Sequence, residues 1–240
     1  MFELEDHHWW FVGRLMMTQG FLKKYALPRT GKRPRLLDIG CGTGRFLSER
    51  LHDCRALGID LYRQPLELSR RRGLTQILQA DAVRLPFRSE TFDILTAFDL
   101  IEHLPDDRQF VAEARRVLRP GGFLIATVPA HPILWTGHDV SLHHRRRYRR
   151  EAFQTLFPDD AWEPIRLTPA FFMIFGPALT IRLLRRLLAA GGPQRADTWA
   201  VPHCLNRLLI QVHRLEAAWL KRFDLPVGVS LLLLVRKRPE

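Results

Sequence analysis

The sequence predicts an α/β fold, a doubly wound, mainly parallel sheet with helices on both faces. Three observations carry this reading. Apolar runs of strand length alternate with helix-like stretches from residue 35 onward. A tight glycine turn, Gly40-Cys41-Gly42-Thr43-Gly44, leaves the first apolar run and opens a helix. Asp38, Asp60, Asp81 and Asp99 stand at or beside the ends of four successive runs.

In chain order, residues 1–34 precede the first strand. His7, His8, Trp9, Trp10 and Phe11 are followed by Leu15, Met16, Phe21, Leu22 and Tyr25 at roughly helical spacing. A helix there should stop near Leu27-Pro28, with Arg29 to Pro34 as a basic linker. Such a segment can dock on the core, cover a pocket, or do both. Strands are expected at 35–39, 55–60, 76–80 and 92–98, with helices at 45–52 and 66–72 between them. Pro105 to Leu118 reads as a helix, with Pro105, Asp106 and Asp107 in its first turn and Arg115, Arg116 and Arg119 at its end. Arg119-Pro120-Gly121-Gly122 should break it before a strand at 123–128. Residues 129–148 read as irregular, 151–157 as a short helix and 162–168 as a sixth strand. Helical patterns at 177–190 and 204–223 flank a Gly-Gly-Pro break, and a seventh strand covers 229–235. The expected units are an N-terminal cap (1–34), an α/β core (35–168), a helical insertion (169–226) and a final core strand (227–240), forming one domain.

The 240 residues carry a formal charge of +12, mostly from arginine. The average reads as arginine-rich composition, while local basic clusters are weighed one by one. Three cysteines, Cys41, Cys54 and Cys204, show no metal spacing and are expected as free thiols in a reducing cytoplasm. The first six residues are acidic and lack the apolar stretch of a secretory signal. The greasiest stretch, 171–190, contains Arg182, Arg185 and Arg186 and does not read as a membrane span.

The turn separates two chemistries. Dinucleotide-binding turns space glycine as G-x-G-x-x-G. Here the spacing is Asp-x-Gly-x-Gly-x-Gly, at Asp38, Gly40, Gly42 and Gly44. This resembles motif I of class I S-adenosylmethionine-dependent methyltransferases. With the strand-end acids and the Arg119-Pro120-Gly121-Gly122 element, the resemblance spans residues 36–129. It implies a Rossmann-like seven-stranded sheet with an antiparallel last strand, and S-adenosyl-L-methionine as cofactor. The expected cofactor residues follow. Asp60 can accept both ribose hydroxyls, with Leu61 on the adenine. Asp81 can accept from the adenine amino group, with the Ala82 amide beside it. Asp38, Gly40, Cys41, Gly42 and Gly44 would face the methionine end, and Asp99 completes the ring.

After the fourth strand the chain reads Asp99-Leu100-Ile101-Glu102-His103-Leu104-Pro105, without the Asn/Asp-Pro-Pro-aromatic element of enzymes that methylate nucleobase amines. It is similar to methyltransferases of the methyltransferase-11 type, including quinone and lipid O-methyltransferases. His8-Trp9-Trp10-Phe11, the 138–148 stretch and Gly228-Val229-Ser230 resemble a bacterial subset of that type. A small or lipid-linked acceptor methylated at oxygen is expected, and a hydroxyl acceptor needs a base. His103 is the first candidate, and His138 and His143 are the others. Arg146, Arg147 and Tyr148 are expected to hold an anionic group. No metal is expected, because no Asp/Glu set with ligand spacing accompanies the histidines. The basic helix at 177–190 suggests contact with an anionic membrane at the inner face, and the 204–223 helix suggests packing. Two other readings remain: an RNA methyltransferase, with steeply salt-dependent binding, and a non-catalytic subunit that kept the fold.

Overall fold

The computed structural model describes residues 2–27, 33–187 and 201–239. Residues 29–32 of the expected linker and the Gly-Gly-Pro break at 191–193 lie outside the described residues. Two helices, α1 (Leu4–His7) and α2 (Trp9–Phe21), continue into a π-helical turn (Leu22–Ala26). The α/β core follows as β1 (Arg35–Ile39), α3 (Arg45–Arg50), β2 (Arg55–Asp60), α4 (Arg63–Arg71), β3 (Ile77–Gln79), β4 (Phe92–Phe98), α5 (Asp107–Val117) and β5 (Leu118–Pro129). Then come α6 (Gly137–Ser141), α7 (Arg150–Gln154), β6 (Trp162–Ala170), α8 (Phe172–Leu187), α9 (His203–Leu220) and β7 (Ser230–Lys237).

The seven strands form one sheet in the order β3-β2-β1-β4-β5-β7-β6. The β1–β2, β1–β4, β2–β3 and β4–β5 pairs are parallel, and β7 runs antiparallel to both neighbours. The expected Rossmann-like architecture is the observed one. Strand order reverses beside β1, between β2 and β4, and open α/β sheets bind ligands at such a switch point. Successive residues of β1 explain the two cores. Leu37 and Ile39 pack with Phe110, Ala114, Phe153 and Trp162 on one face. Leu36 packs with Met17, Phe21, Leu47 and Leu220 on the other.

Three of the boundaries that differ from the sequence reading have a clear physical cause, local in the first and distant in the other two. Asp106, not Pro105, opens α5, because its carboxylate accepts the Gln109 amide at 2.9 Å. Arg119–Gly122 does not end before β5 but belongs to it, as a register shift between Phe92 and Ile94 of β4. Arg119 reaches Asp93 at 2.9 Å, and Lys237 of β7 donates to the Leu118 carbonyl at 3.0 Å. Helix α8 starts at Phe172, five residues earlier than expected, with Pro177 inside it. Its first amide is capped across the fold: Phe172 N donates to Glu216 Oε1 of α9 at 2.9 Å.

Helix α9 also departs from the packing expected of it. Its inner face is His213, Glu216, Ala217 and Leu220, while Leu205, Leu208 and Trp219 are exposed. Leu183 and Leu184 of α8 are exposed as well.

Candidate functional site

The glycine turn is folded by β2. Gly40 N and Cys41 N both donate to the Ile59 carbonyl at 2.8 Å. Asp60 receives the Gly42 amide on one carboxylate oxygen at 3.0 Å and the Tyr62 amide on the other at 2.9 Å. Gly40, Gly42 and Gly44 all have positive φ, at 73°, 55° and 78°. A Cβ on Gly44 would lie 2.2 Å from Leu74 Cδ1, so that glycine serves packing. A Cβ on Gly42 would meet nothing within 4 Å, so that glycine faces open space.

The acids divide into three environments. Asp38 is buried and accepts the Thr96 hydroxyl at 2.7 Å. Burial pushes its carboxyl up to about 7, against the Thr96 hydrogen bond and the charge of Arg14. Asp99 sits at φ 50°, accepts the Thr127 hydroxyl at 2.9 Å and pairs with Arg14 of α2 at 2.5 Å. Asp81 is exposed and accepts the Val83 amide at 3.0 Å; Ala82 beside it is buried and Leu61 is half exposed. The Cys41 thiol is pushed far up by burial, and by Asp38 and Asp60, so it stays protonated.

The N-terminal segment both docks and covers. Glu5 accepts the Thr43 hydroxyl of the glycine turn. Asp6 pairs with Arg45 at 2.7 Å and Arg72 at 3.0 Å. Trp10 stacks on Phe171 at 4.2 Å, and Asn206 of α9 brackets His7 and Trp9 with two backbone hydrogen bonds. Arg14 is therefore carried to Asp99 by a segment anchored at both ends. The helical spacing of 1–34 did not single out Glu5, Asp6 or Arg14.

Beyond Asp99, a short 3-10 turn (Ile101–His103) places Glu102 and His103 at the end of β4. The stretch after β5 returns to them: Arg145 donates to the carbonyls of Glu102 at 2.8 Å and His103 at 3.1 Å. This brings the His144 ring to the site, while exposed His143 meets the His103 side chain through its backbone. The His103 and His144 rings meet edge-on at 4.7 Å. His144 Nδ1 lies 3.0 Å from Asp139 Oδ1. Asp139 is fully buried, capped into α6 by Thr136 and paired with Arg147 at 2.7 Å. Burial raises its carboxyl, but His144 and Arg147 outweigh that and hold it well below the usual range. Burial, and then His144, lower the His103 imidazole. Glu102 is pushed well up by burial and by Asp99.

Two expectations for this stretch are corrected. His143 is exposed at φ 59°, and His138 sits on α6, outside the group converging on Glu102. Arg146, Arg147 and Tyr148 are engaged within the protein. Arg146 binds Asp107 at 2.7 Å and two carbonyls. Arg147 binds Asp139 and the Ala130 carbonyl, and Tyr148 donates to Asp107 at 2.8 Å. They brace the loop that presents His144; the consecutive run His143-His144-Arg145-Arg146-Arg147 carries no periodicity to say which side turns inward.

Among the described residues, no helix is long and apolar enough to cross a membrane. Cys41 and Cys54 are buried and free, and Cys204 is exposed and free.

Residues 37–126 match the family model described as a methyltransferase domain, Methyltransf_11. The chain is 38% identical over 100 residues to phthiotriol/phenolphthiotriol dimycocerosates methyltransferase 1 of Mycobacterium ulcerans, covering 39% of this chain and 36% of that protein. It is 34% identical over 119 residues to the ubiquinone biosynthesis O-methyltransferase of Hahella chejuensis, covering 46% and 48%. The chain thus spans under half the length of these curated relatives. Among solved structures, the YcgJ protein from Bacillus matches with a TM-score of 0.59 at 19% identity, over 93% of this chain and 99% of that one. The [4+2]-cyclase SpnF matches with a TM-score of 0.60 at 19% identity, over 95% and 82%. These two share the fold, and the second shows that the fold alone does not fix the chemistry. The family match takes in the glycine turn and all four acids, begins at the third residue of β1 and ends within β5. Over residues 37–126 the chain is similar to S-adenosylmethionine-dependent methyltransferase domains.

Proposed function

We propose that the chain transfers the methyl group of S-adenosylmethionine to an oxygen of a small or lipid-linked acceptor. One observation carries this reading: the open glycine turn with its strand-end acids lies along the same sheet edge as the His103–His144 pair. The residues fit the cofactor. Gly42 leaves space where a Cβ would intrude. Asp60, already oriented by two amides, has lone pairs left for a ribose diol. Leu61 is exposed for an adenine face, with Asp81 and Ala82 beside it. Asp38, Gly40 and the Arg14–Asp99 pair offer both signs of charge to an amino acid end.

When bound, the cofactor supplies an electrophilic methyl group on a sulfonium that leaves readily. The chain's work is then alignment of the acceptor oxygen and removal of its proton. The proton leaves through the His103–His144 cluster, a step typically worth about 10²–10⁴ in rate. The exposed side of α9 supports a lipid-linked acceptor. Leu208, Leu215 and Trp219 share it with Arg207 and Arg214, and the only acid of the helix, Glu216, is buried. An apolar face flanked by cations and free of exposed acids suits an anionic membrane surface at the cytoplasmic side.

Calorimetry with S-adenosylhomocysteine tests the cofactor half. Wild type and His103→Ala should bind it alike, Asp60→Ala should bind at least about tenfold more weakly, and NAD should not bind. Binding of NAD in place of S-adenosylhomocysteine rejects the reading. Incubation with labelled cofactor and fractionated cell lipids then reads the acceptor.

A further inference from the structure

We infer that Glu102, His103 and His144 form a binding site for one divalent transition-metal ion at the acceptor edge of the crevice. The sequence shows no ligand spacing for such a site. The tertiary structure assembles it from two loops, the turn after β4 and the stretch after α6. One donor atom from each of the three residues lies within 4.8 Å of the others, and no other group of this kind occurs among the described residues.

The independent observation is Glu102. Its side chain is fully buried, and neither carboxylate oxygen has a hydrogen-bond partner. A buried carboxylate left bare on both oxygens is costly, and such groups are normally paired or bound to metal. Its near neighbour is His144 Nε2, 3.9 Å from Oε1. That gap is too long for a hydrogen bond. Ion-to-ligand distances of about 2.0–2.2 Å set tetrahedral ligand atoms about 3.4 Å apart, so the two groups would close by about half an ångström around an ion.

The second layer of the site is in place. Asp139 holds His144 Nδ1 at 3.0 Å, which turns Nε2 toward Glu102. This is the carboxylate–histidine arrangement that orients metal-bound imidazoles. Asp139 is in turn fixed by Arg147 and by the Thr136 amide at 2.8 Å. His103 is placed from the other loop and packs edge-on against His144 at 4.7 Å. Two imidazole nitrogens and one carboxylate oxygen suit zinc and its first-row neighbours better than magnesium or calcium. Three protein ligands also leave a coordination position open.

The role of the ion rests on the proposed function. With the ion bound, the two imidazoles would serve as its ligands rather than take the proton themselves, and an acceptor hydroxyl at the open position, made more acidic by the ion, would lose its proton to solvent. The resulting oxygen lone pair then forms the new C–O bond as the methyl–sulfur bond breaks, releasing S-adenosylhomocysteine and the O-methylated product.

The test reads binding, not turnover. The full chain is stripped with chelator, dialysed and titrated with Co²⁺, followed by visible absorption, and with Zn²⁺, followed by calorimetry. The expected result is one ion per chain, with the absorption of low-coordinate, nitrogen-ligated cobalt. Glu102→Gln, which keeps the side chain's shape, and His144→Ala should each remove this stoichiometric binding. Asp139→Asn should weaken it about 10–100-fold, and His143→Ala, at an exposed neighbour, should leave it intact. S-adenosylhomocysteine affinity of each variant shows that the fold survives. Absence of stoichiometric binding in wild type, or binding unchanged in Glu102→Gln and His144→Ala, overturns the site. Stoichiometric metal without any S-adenosylhomocysteine binding would leave the site standing and reject the methyltransfer reading instead.

Discussion

Gly42→Ala separates backbone strain from ligand space. The residue has φ 55°, where an alanine costs about 1–2 kcal/mol. Restricting the unfolded chain returns about 0.4–1 kcal/mol. No atom lies within 4 Å of the added Cβ, so no packing clash adds to this. The net loss should be about 1 kcal/mol, or a melting temperature lower by about 2–4 °C in a chain of this size. Gly73 is a matched control: its φ is 82° and its Cβ position is also open. Gly73→Ala should therefore melt like Gly42→Ala. Only Gly42→Ala should lose affinity for S-adenosylhomocysteine, by at least about tenfold in calorimetry, since about 1.4 kcal/mol of steric conflict suffices. Equal affinities in the two variants would show that the space over Gly42 is not where the cofactor lies.

Three further outcomes follow from the same geometry. Asp38 holds a proton up to about pH 7, whereas its unfolded counterpart loses it near 3.8. Across that window the native state binds more protons, so rising pH lowers stability, by a total of about 4 kcal/mol at about 1.4 kcal/mol per unit. Urea unfolding of Asp38→Asn should lack this fall; parallel curves for the two proteins from pH 4 to 8 would refute it. Arg14→Met should change stability by under about 1 kcal/mol, as a partly exposed pair, yet weaken S-adenosylhomocysteine binding about tenfold; wild-type affinity would show that α2 covers the crevice without serving it. Co-sedimentation with phosphatidylglycerol vesicles should fall about tenfold in Leu215→Ser/Trp219→Ser and be absent with phosphatidylcholine alone, whereas equal sedimentation of variant and wild type would remove α9 from the membrane.

The sequence by itself determined the sheet, the glycine turn and the acids at its strand ends. Those features are local: an apolar run, a positive-φ turn and a strand-end residue are written in consecutive positions. It also placed β1, β2 and β4 to the residue, because each is a short, mainly apolar run of strand length. The tertiary structure alone decided where α8 begins, since its cap is Glu216, more than forty residues away. It alone decided that Arg14 meets Asp99, because that contact depends on how α2 is clasped by α9. It alone chose His144 over His143 and His138, because a backbone hydrogen bond from Arg145 to Glu102 fixes the rotation of the loop. The same fixation turns Arg146, Arg147 and Tyr148 into struts. The donor of the methyl group is legible in a stretch of seven residues. The acceptor side is built from two loops some forty residues apart, and only the folded chain brings Glu102, His103 and His144 together.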